Sequence, residues 1–357
     1  MKQTKRIGFI DSVKGFAIFC VIWGHVIQYL RATDDPTTIN NPIFEFIYSF
    51  HMPLFFMMSG FFFSSSLKLH VKDFLYKKAL QLLLPCFTWA VLLTFFMTIY
   101  ILFKKGSEYD LLIPVKEILI PTNWPFWFLK ELFLSYVIVY LSLRVFKKDY
   151  LAFIISISII LITPFCAFQR FLLPVFWAGI YLKKNYQSII KYSKPIFIIS
   201  TSLFIVALFF WKGDYVIYMT KFPAIFNFRT LSFDLSDINI AIFRLLIGLT
   251  GSIFWIFLFQ QFYSRNKSFP ILEKIGTYTL GIYILQYTLL EKILRRIINL
   301  SSINIWIFNL IIAPVISVTI IIICIYLIRI LSKNKYARLF LLGDSFEKLS
   351  QKTKNNH

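Results

Sequence analysis

Ten apolar stretches, joined by short connections that are mostly basic, make up most of this chain. They run from Ile10 to Leu30, Ile43 to Phe63, Ala79 to Phe103, Phe126 to Phe146, Tyr150 to Phe165, Arg170 to Leu182, Pro195 to Trp211, Ile240 to Phe262, Ile275 to Leu294 and Ile305 to Ile330. A helix needs about 20 mostly apolar residues to cross the hydrocarbon of a bilayer. The expected fold is therefore all-α: a polytopic membrane protein, a bundle of about ten transmembrane helices. The sixth stretch is short, so it is expected to be tilted, partial or sheltered by its neighbours. Composition agrees, because 58% of residues are hydrophobic and the mean hydropathy is +0.70, above the usual balance of a soluble domain. Residues 1–335 read as one membrane domain and 336–357 as a short basic tail. No internal repeat or separate soluble domain is evident.

The formal net charge is +21. In a soluble protein such an excess points to nucleic acid. Here the cations lie between apolar runs, so they read as loop charge, with no nucleic-acid partner. With ten spans, both termini share a side. The terminal segments and the loops on their side hold 24 Lys and Arg, against 11 on the other side. That bias places both termini in the cytoplasm of a multi-pass protein of the cell membrane. Asp11 and Lys14 interrupt the first run, which favours an uncleaved first helix over a signal peptide. Cys20, Cys86, Cys166 and Cys324 sit in or beside apolar runs, with no CxxC and no metal-ligand spacing, so buried thiols are expected and no metal.

The outer connections differ in character. The first carries Asp34 and Asp35. The seventh mixes Tyr215, Tyr218, Phe222, Phe226 and Phe228 with Lys221, Arg229, Asp234 and Asp237. Such a mixture suits a sugar or a lipid headgroup, and an interfacial aromatic belt accounts for it equally well.

The polar groups inside the spans narrow the function. A charge at mid-membrane costs at least about 2.5 kcal/mol, so it must face a cavity or a partner. In the first helix, Asp11 and Lys14 are three residues apart and share a face. Lys14 and His25 are eleven apart, close to three full turns, so they share a stripe about 16 Å long. A cation at the inner end and an imidazole near the outer end suit a long donor with phosphates at one end and a thioester at the other. Coenzyme A has that form. In the second helix, His51 lies at a depth similar to His25, just before Pro53, which removes a backbone donor. Trp127, Lys130 and Glu131 open the fourth span beside Trp124. Arg170 opens the sixth, Arg244 lies near the outer edge of the eighth, where it could snorkel, and the ninth contributes Tyr278, Thr279, Tyr283 and Gln286.

The stretch "FIDSVKGFAIFCVIWGH" (residues 9–25), followed in order by "FHMPLFFMMSGFFF", "WFLKELF", "RFLLPVFWAG" and "TLGIYILQY", resembles the integral-membrane acyltransferase family 3, which O-acylates surface glycans and lipid-linked sugars. The "FHMPLFF" form is most similar to the branch related to fucose 4-O-acetylases. The resemblance implies a catalytic role for His25, with His51 and Trp127 in further motifs of the family. It also implies an acyl-CoA contact from Lys14, where many relatives have Arg, with Asp11 orienting that region. Glu131, Arg170, Tyr283 and Gln286 are candidates for binding or supporting the substrate. Many relatives have His where this chain has Gln286, which leaves that position hydrogen bonding to a sugar rather than proton transfer.

The implied reaction moves an acyl group, acetyl foremost, from acyl-CoA (acetyl-CoA) to a hydroxyl of a cell-surface or lipid-linked glycan. Acyl-CoA is a co-substrate, no cofactor is permanently bound, and the other partners are the sugar acceptor and membrane lipids. An alcohol needs a base at neutral pH, and His25 suits that role. His51 or Tyr283 is expected to serve the oxyanion, and an acyl-histidine relay is the rival chemistry. The competing functions are a transporter or flippase for polysaccharide or lipid-linked sugar, and a non-catalytic partner in polysaccharide export.

Overall fold

A computed structural model describes residues 8–31, 41–105, 112–120, 124–146, 148–163, 166–212, 215, 226–227, 232–233 and 238–343. Asp34, Asp35, most of the seventh connection and the tail beyond residue 343 lie outside the described residues. The helices are, in chain order, α1 (Gly8–Leu30), α2 (Pro42–Phe61), α3 (Val71–Lys104), α4 (Leu112–Leu119), α5 (Trp127–Val145), α6 (Asp149–Ile162), α7 (Gln169–Lys184) and α8 (Tyr186–Phe209). They continue with α9 (Ile238–Ser264), α10 (Pro270–Gly276), α11 (Thr279–Tyr287), α12 (Ile305–Leu331) and α13 (Lys335–Leu342). A two-residue antiparallel ladder pairs Phe226 with Phe233 and Asn227 with Ser232.

Each of the ten apolar runs is helical over most of its described residues, and the protein is an all-α polytopic membrane protein. Among the described residues, six helices are long and apolar enough to cross a membrane: α1, α2 with its extension to Lys68, α3, α8, α9 and α12. The other runs fall short for local reasons. Helix α5 carries Lys130, Glu131 and Arg144, α6 has 14 residues and α7 has 16. The ninth run is divided: α10 stops at Gly276, and α11 passes into a π-helical turn at Thr288–Leu294.

The helices gather into two compact units, one within residues 1–67 and 139–325, the other within 68–138 and 326–357. In the first unit α1 packs on α2, α9, α10 and α11, while α2 packs also on α7 and α9. Its core is aliphatic and aromatic, with Val13, Ile18, Ile22, Phe44, Phe50, Phe56, Phe171 and Phe176 all fully buried. The helices approach closely where side chains are absent. A Cβ on Gly60 would lie 2.0 Å from the Phe176 carbonyl oxygen, and one on Gly179 would lie 2.0 Å from that of Met57. Only glycine lets the α2 and α7 backbones touch at this crossing.

Polar side chains fix the helix ends. The Asn41 side chain accepts from the Ile43 and Phe44 amides, with Pro42 in the first turn, an N-cap worth about 1 kcal/mol. The same carboxamide exchanges two hydrogen bonds with buried Asn309, at 3.1 and 2.9 Å. The Asn309 carbonyl accepts from Trp23 Nε1 at 2.9 Å, so one polar knot joins α1, α2 and α12.

In the second unit, α13 is capped by Asn334 and ends at Gly343, whose φ of 66° is the left-handed conformation of a helix stop. Trp89 Nε1 on α3 donates to the Leu341 carbonyl at 3.1 Å. The Lys78 ammonium lies 3.7 Å from the centroid of the Tyr136 ring, a cation–π contact. The four described cysteines are buried and free.

Candidate active site

His25 lies five residues from the end of α1. Its Nδ1 is 3.0 Å from Gln286 Oε1 on α11. Gln286 is buried, and its Nε2 donates to the Tyr283 carbonyl at 3.2 Å. A carbonyl can only accept, so the amide nitrogen is committed there and Oε1 is the atom that faces His25. Nδ1 must then carry the proton, and the lone pair of the neutral ring is on Nε2.

His51 has the same form by another route. Its Nδ1 is 2.7 Å from the Ile47 carbonyl one turn earlier on α2. This ring too keeps its proton on Nδ1 and its lone pair on Nε2. In the neutral ring Nε2 carries no N–H for an oxyanion. The His51 ring meets Tyr48 edge-on at 4.7 Å, and the Tyr48 phenol donates to Gln28 Oε1 at 2.8 Å. A Cβ on Gly24 would lie 2.7 Å from the Tyr48 ring. These contacts set His25 and His51 within about one turn of each other in depth.

Arg244 does not snorkel. It is 4% exposed, and its guanidinium lies over the Phe171 ring, 4.3 Å from the centroid. Phe171 is on α7 and Arg244 on α9, and both helices pack on α2, which carries His51. Helices α1, α2, α7 and α9 thus bring two imidazoles and one buried cation into one neighbourhood of the first unit.

A carboxylate that the motif reading passed over stands beside them. The π-helical turn after α11 carries Glu291, which accepts from Tyr29 at 3.2 Å, Tyr287 at 3.1 Å and Lys292 at 2.6 Å. The Tyr29 ring is 5.6 Å from the His25 ring. Two signals point to Glu291 in the sequence: it is an ionisable residue in an apolar run, and Tyr287 precedes it by four residues, on the same helical face.

The remaining candidates are distributed. Asp11 and Lys14 form an ion pair at 2.8 Å, and Lys14 Nζ lies 5.6 Å from the Phe62 ring centroid. The pair sits at the opposite end of α1 from His25, about three turns away. Gly276 of α10 packs against the Asp11 backbone. Arg170 donates to the Ile160 and Thr163 carbonyls at 3.3 and 3.2 Å. It therefore satisfies the exposed end of α6, a structural use of the cation. Tyr283 is buried and serves through its backbone carbonyl. Trp127 and Glu131 stand on the first two turns of α5, in the second unit.

A family profile described as an acyltransferase domain matches residues 7–329. Two curated relatives are nodulation proteins named NolL. The one from Mesorhizobium japonicum is 33% identical over 130 residues, which is 36% of this chain and 34% of the relative. The one from Sinorhizobium fredii is 32% identical over 118 residues, 33% of this chain and 32% of the relative. The chain thus spans about a third of the length of the curated relatives it matches. No solved structure matches it. The profile spans the helices bearing His25, His51, Arg244 and Gln286, and the chain belongs to the acyltransferase 3 family.

Proposed function

We propose that this protein is a membrane O-acyltransferase that moves an acyl group, acetyl foremost, from acyl-CoA to a hydroxyl of a cell-surface or lipid-linked glycan. The observation that carries this reading is the His25–Gln286 pair. Its geometry leaves a basic Nε2 on a part-buried imidazole whose other nitrogen is held.

The sugar hydroxyl loses its proton to His25 Nε2 as its oxygen attacks the thioester carbonyl. The carbonyl oxygen becomes an oxyanion, which needs a fixed positive partner in a dry site. Arg244 is the buried cation in this neighbourhood, and we assign it that role. Collapse of the tetrahedral species expels the CoA thiolate, and the proton on His25 passes to that leaving group. The Tyr29 phenol, held by Glu291, stands beside His25 and suits a hydroxylated acceptor. The basic loops support a cytoplasmic donor side. Lys14 is then the cation available to donor phosphates, and His25 lies toward the acceptor side.

The test is acyl-CoA consumption by the purified full chain with a panel of sugar acceptors. His25→Gln and His25→Ala should abolish transfer while the protein still inserts and elutes as the parent does. Full activity in His25→Gln would remove it as the base. Sugar flux into vesicles without acyl-CoA consumption would replace the enzyme with a transporter.

A further inference from the structure

Past the glycine crossing, α2 gives way to the 3-10 turn Phe63–Lys68, while α7 runs on to Lys184. These segments and the facing ends of α5 and α6 surround a cavity of about 420 Å3, whose walls include Gly60, Phe61, Ser64, Trp177, Ile180 and Lys183. The cavity touches neither imidazole and neither Lys14 nor Asp11.

Its walls are apolar and aromatic, and its rim is cationic. The Lys183 ammonium lies 4.8 Å from the Phe61 ring centroid. Lys184, also at the wall, pairs with Asp149. Arg144 donates to the carbonyl of Leu67, a wall residue, at 2.9 Å, and to the Tyr140 hydroxyl at 3.1 Å. Lys148 precedes Asp149. Lys183 and Lys184 are thus at the wall itself, where Lys184 pairs with Asp149, and Arg144 stands behind Leu67. Leu141, Val145, Tyr150, Phe153 and Tyr181, on the same three helices, are large, apolar and exposed. In a bilayer those faces meet acyl chains.

We propose that this cavity binds the phosphate-bearing headgroup of an anionic phospholipid, with the chains lying along the flanking apolar faces. Two general rules and one observation converge. Ammonium and guanidinium groups are the side chains that hold phosphate. A basic pocket between transmembrane helices recognises anionic headgroups. The exposed apolar flanks match an amphiphile, whereas a nucleotide phosphate would leave them without use. Such a lipid ties the ends of α2, α5, α6 and α7 together. The assignment stands whether or not His25 is the base.

The test uses the full chain purified in neutral detergent. Native mass spectrometry and a thermal melt are recorded with phosphatidylglycerol, with phosphatidylcholine of the same chains, and with 3′,5′-ADP as a phosphate that is not a lipid. Phosphatidylglycerol should stay bound and raise the melting temperature by several degrees; phosphatidylcholine should do neither. Lys183→Glu should lose both effects, and Lys183→Gln gives the same reading should the reversal not fold. Lys191→Glu, an exposed lysine outside the cavity, should keep them. Equal retention of phosphatidylcholine overturns the proposal, as does phosphatidylglycerol bound unchanged in Lys183→Glu. A Lys183-dependent shift with 3′,5′-ADP and none with phosphatidylglycerol also overturns it and makes the cavity a nucleotide site.

Discussion

His25 Nδ1 and Gln286 Oε1 meet at 3.0 Å across 261 residues of sequence, and the amide is itself held by the Tyr283 carbonyl. A side chain that fixes the tautomer of a base acts through that base and need not touch substrate. Gln286→Ala should lower kcat by about tenfold or more with little change in either KM, by analogy with the loss of other orienting groups. Gln286→Glu keeps an acceptor oxygen on Nδ1 and should retain more activity than the alanine variant. Steady-state kinetics on the two variants checks this. Equal losses in both, or a loss confined to acceptor KM, would return Gln286 to substrate binding.

Arg244 makes a separate prediction. A buried donor aimed at a developing oxyanion contributes about 10²- to 10³-fold to kcat. Arg244→Gln should fall by that order, and Arg244→Lys should recover part of it. The Phe171 ring beneath the guanidinium offers a control, since Phe171→Leu removes the cation–π partner and leaves the charge. A Phe171→Leu variant as inactive as Arg244→Gln would make the residue a packing element.

Much of the fold is legible in the sequence, because a run of apolar residues longer than a bilayer requires has few places to go. The Asp11–Lys14 pair is legible for a similar reason, since spacing of three on a helix fixes a shared face. What spacing does not fix is the rotation of each helix against distant neighbours. The sequence offers a cation at Arg170 and another at Arg244 on equal terms. Packing then commits the first to the carbonyls of α6 and buries the second over Phe171. Gln286 reads as a sugar contact because its partner lies eight spans away in sequence. The Asn41–Asn309 knot, 268 residues apart, has no local signature beyond the N-cap.

That knot carries a stability prediction. Asn41→Ala removes the cap and leaves the buried Asn309 carboxamide without its partner. An unsatisfied buried amide costs about 1–3 kcal/mol, and a lost N-cap adds about 1 kcal/mol. Asn309→Ala keeps the cap and should cost less. A melt in detergent should rank Asn41→Ala below Asn309→Ala and both below the parent chain. Equal melting temperatures for all three would mean that water or another group replaces the lost bonds.

Lys14 decides whether the far end of α1 grips the donor. Its ammonium is paired with Asp11 and lies beside Phe62, about three turns from His25. A group that holds donor phosphates equally in the ground state and the transition state contributes to KM and leaves kcat alone. A hydrogen bond to a charged group is worth about 1.5–3 kcal/mol. Lys14→Ala should therefore raise KM for acyl-CoA about tenfold or more, with kcat near the parent value at saturating donor. Lys14→Arg keeps the charge and should stay near the parent. Asp11→Asn removes the partner that competes with phosphate for the ammonium, but it also loosens the orientation of the side chain. Its KM should accordingly lie between those of the parent and Lys14→Ala. A Lys14→Ala variant that loses kcat while its donor KM is unchanged would place the ion pair in the architecture of α1 and leave the donor phosphates to other cations.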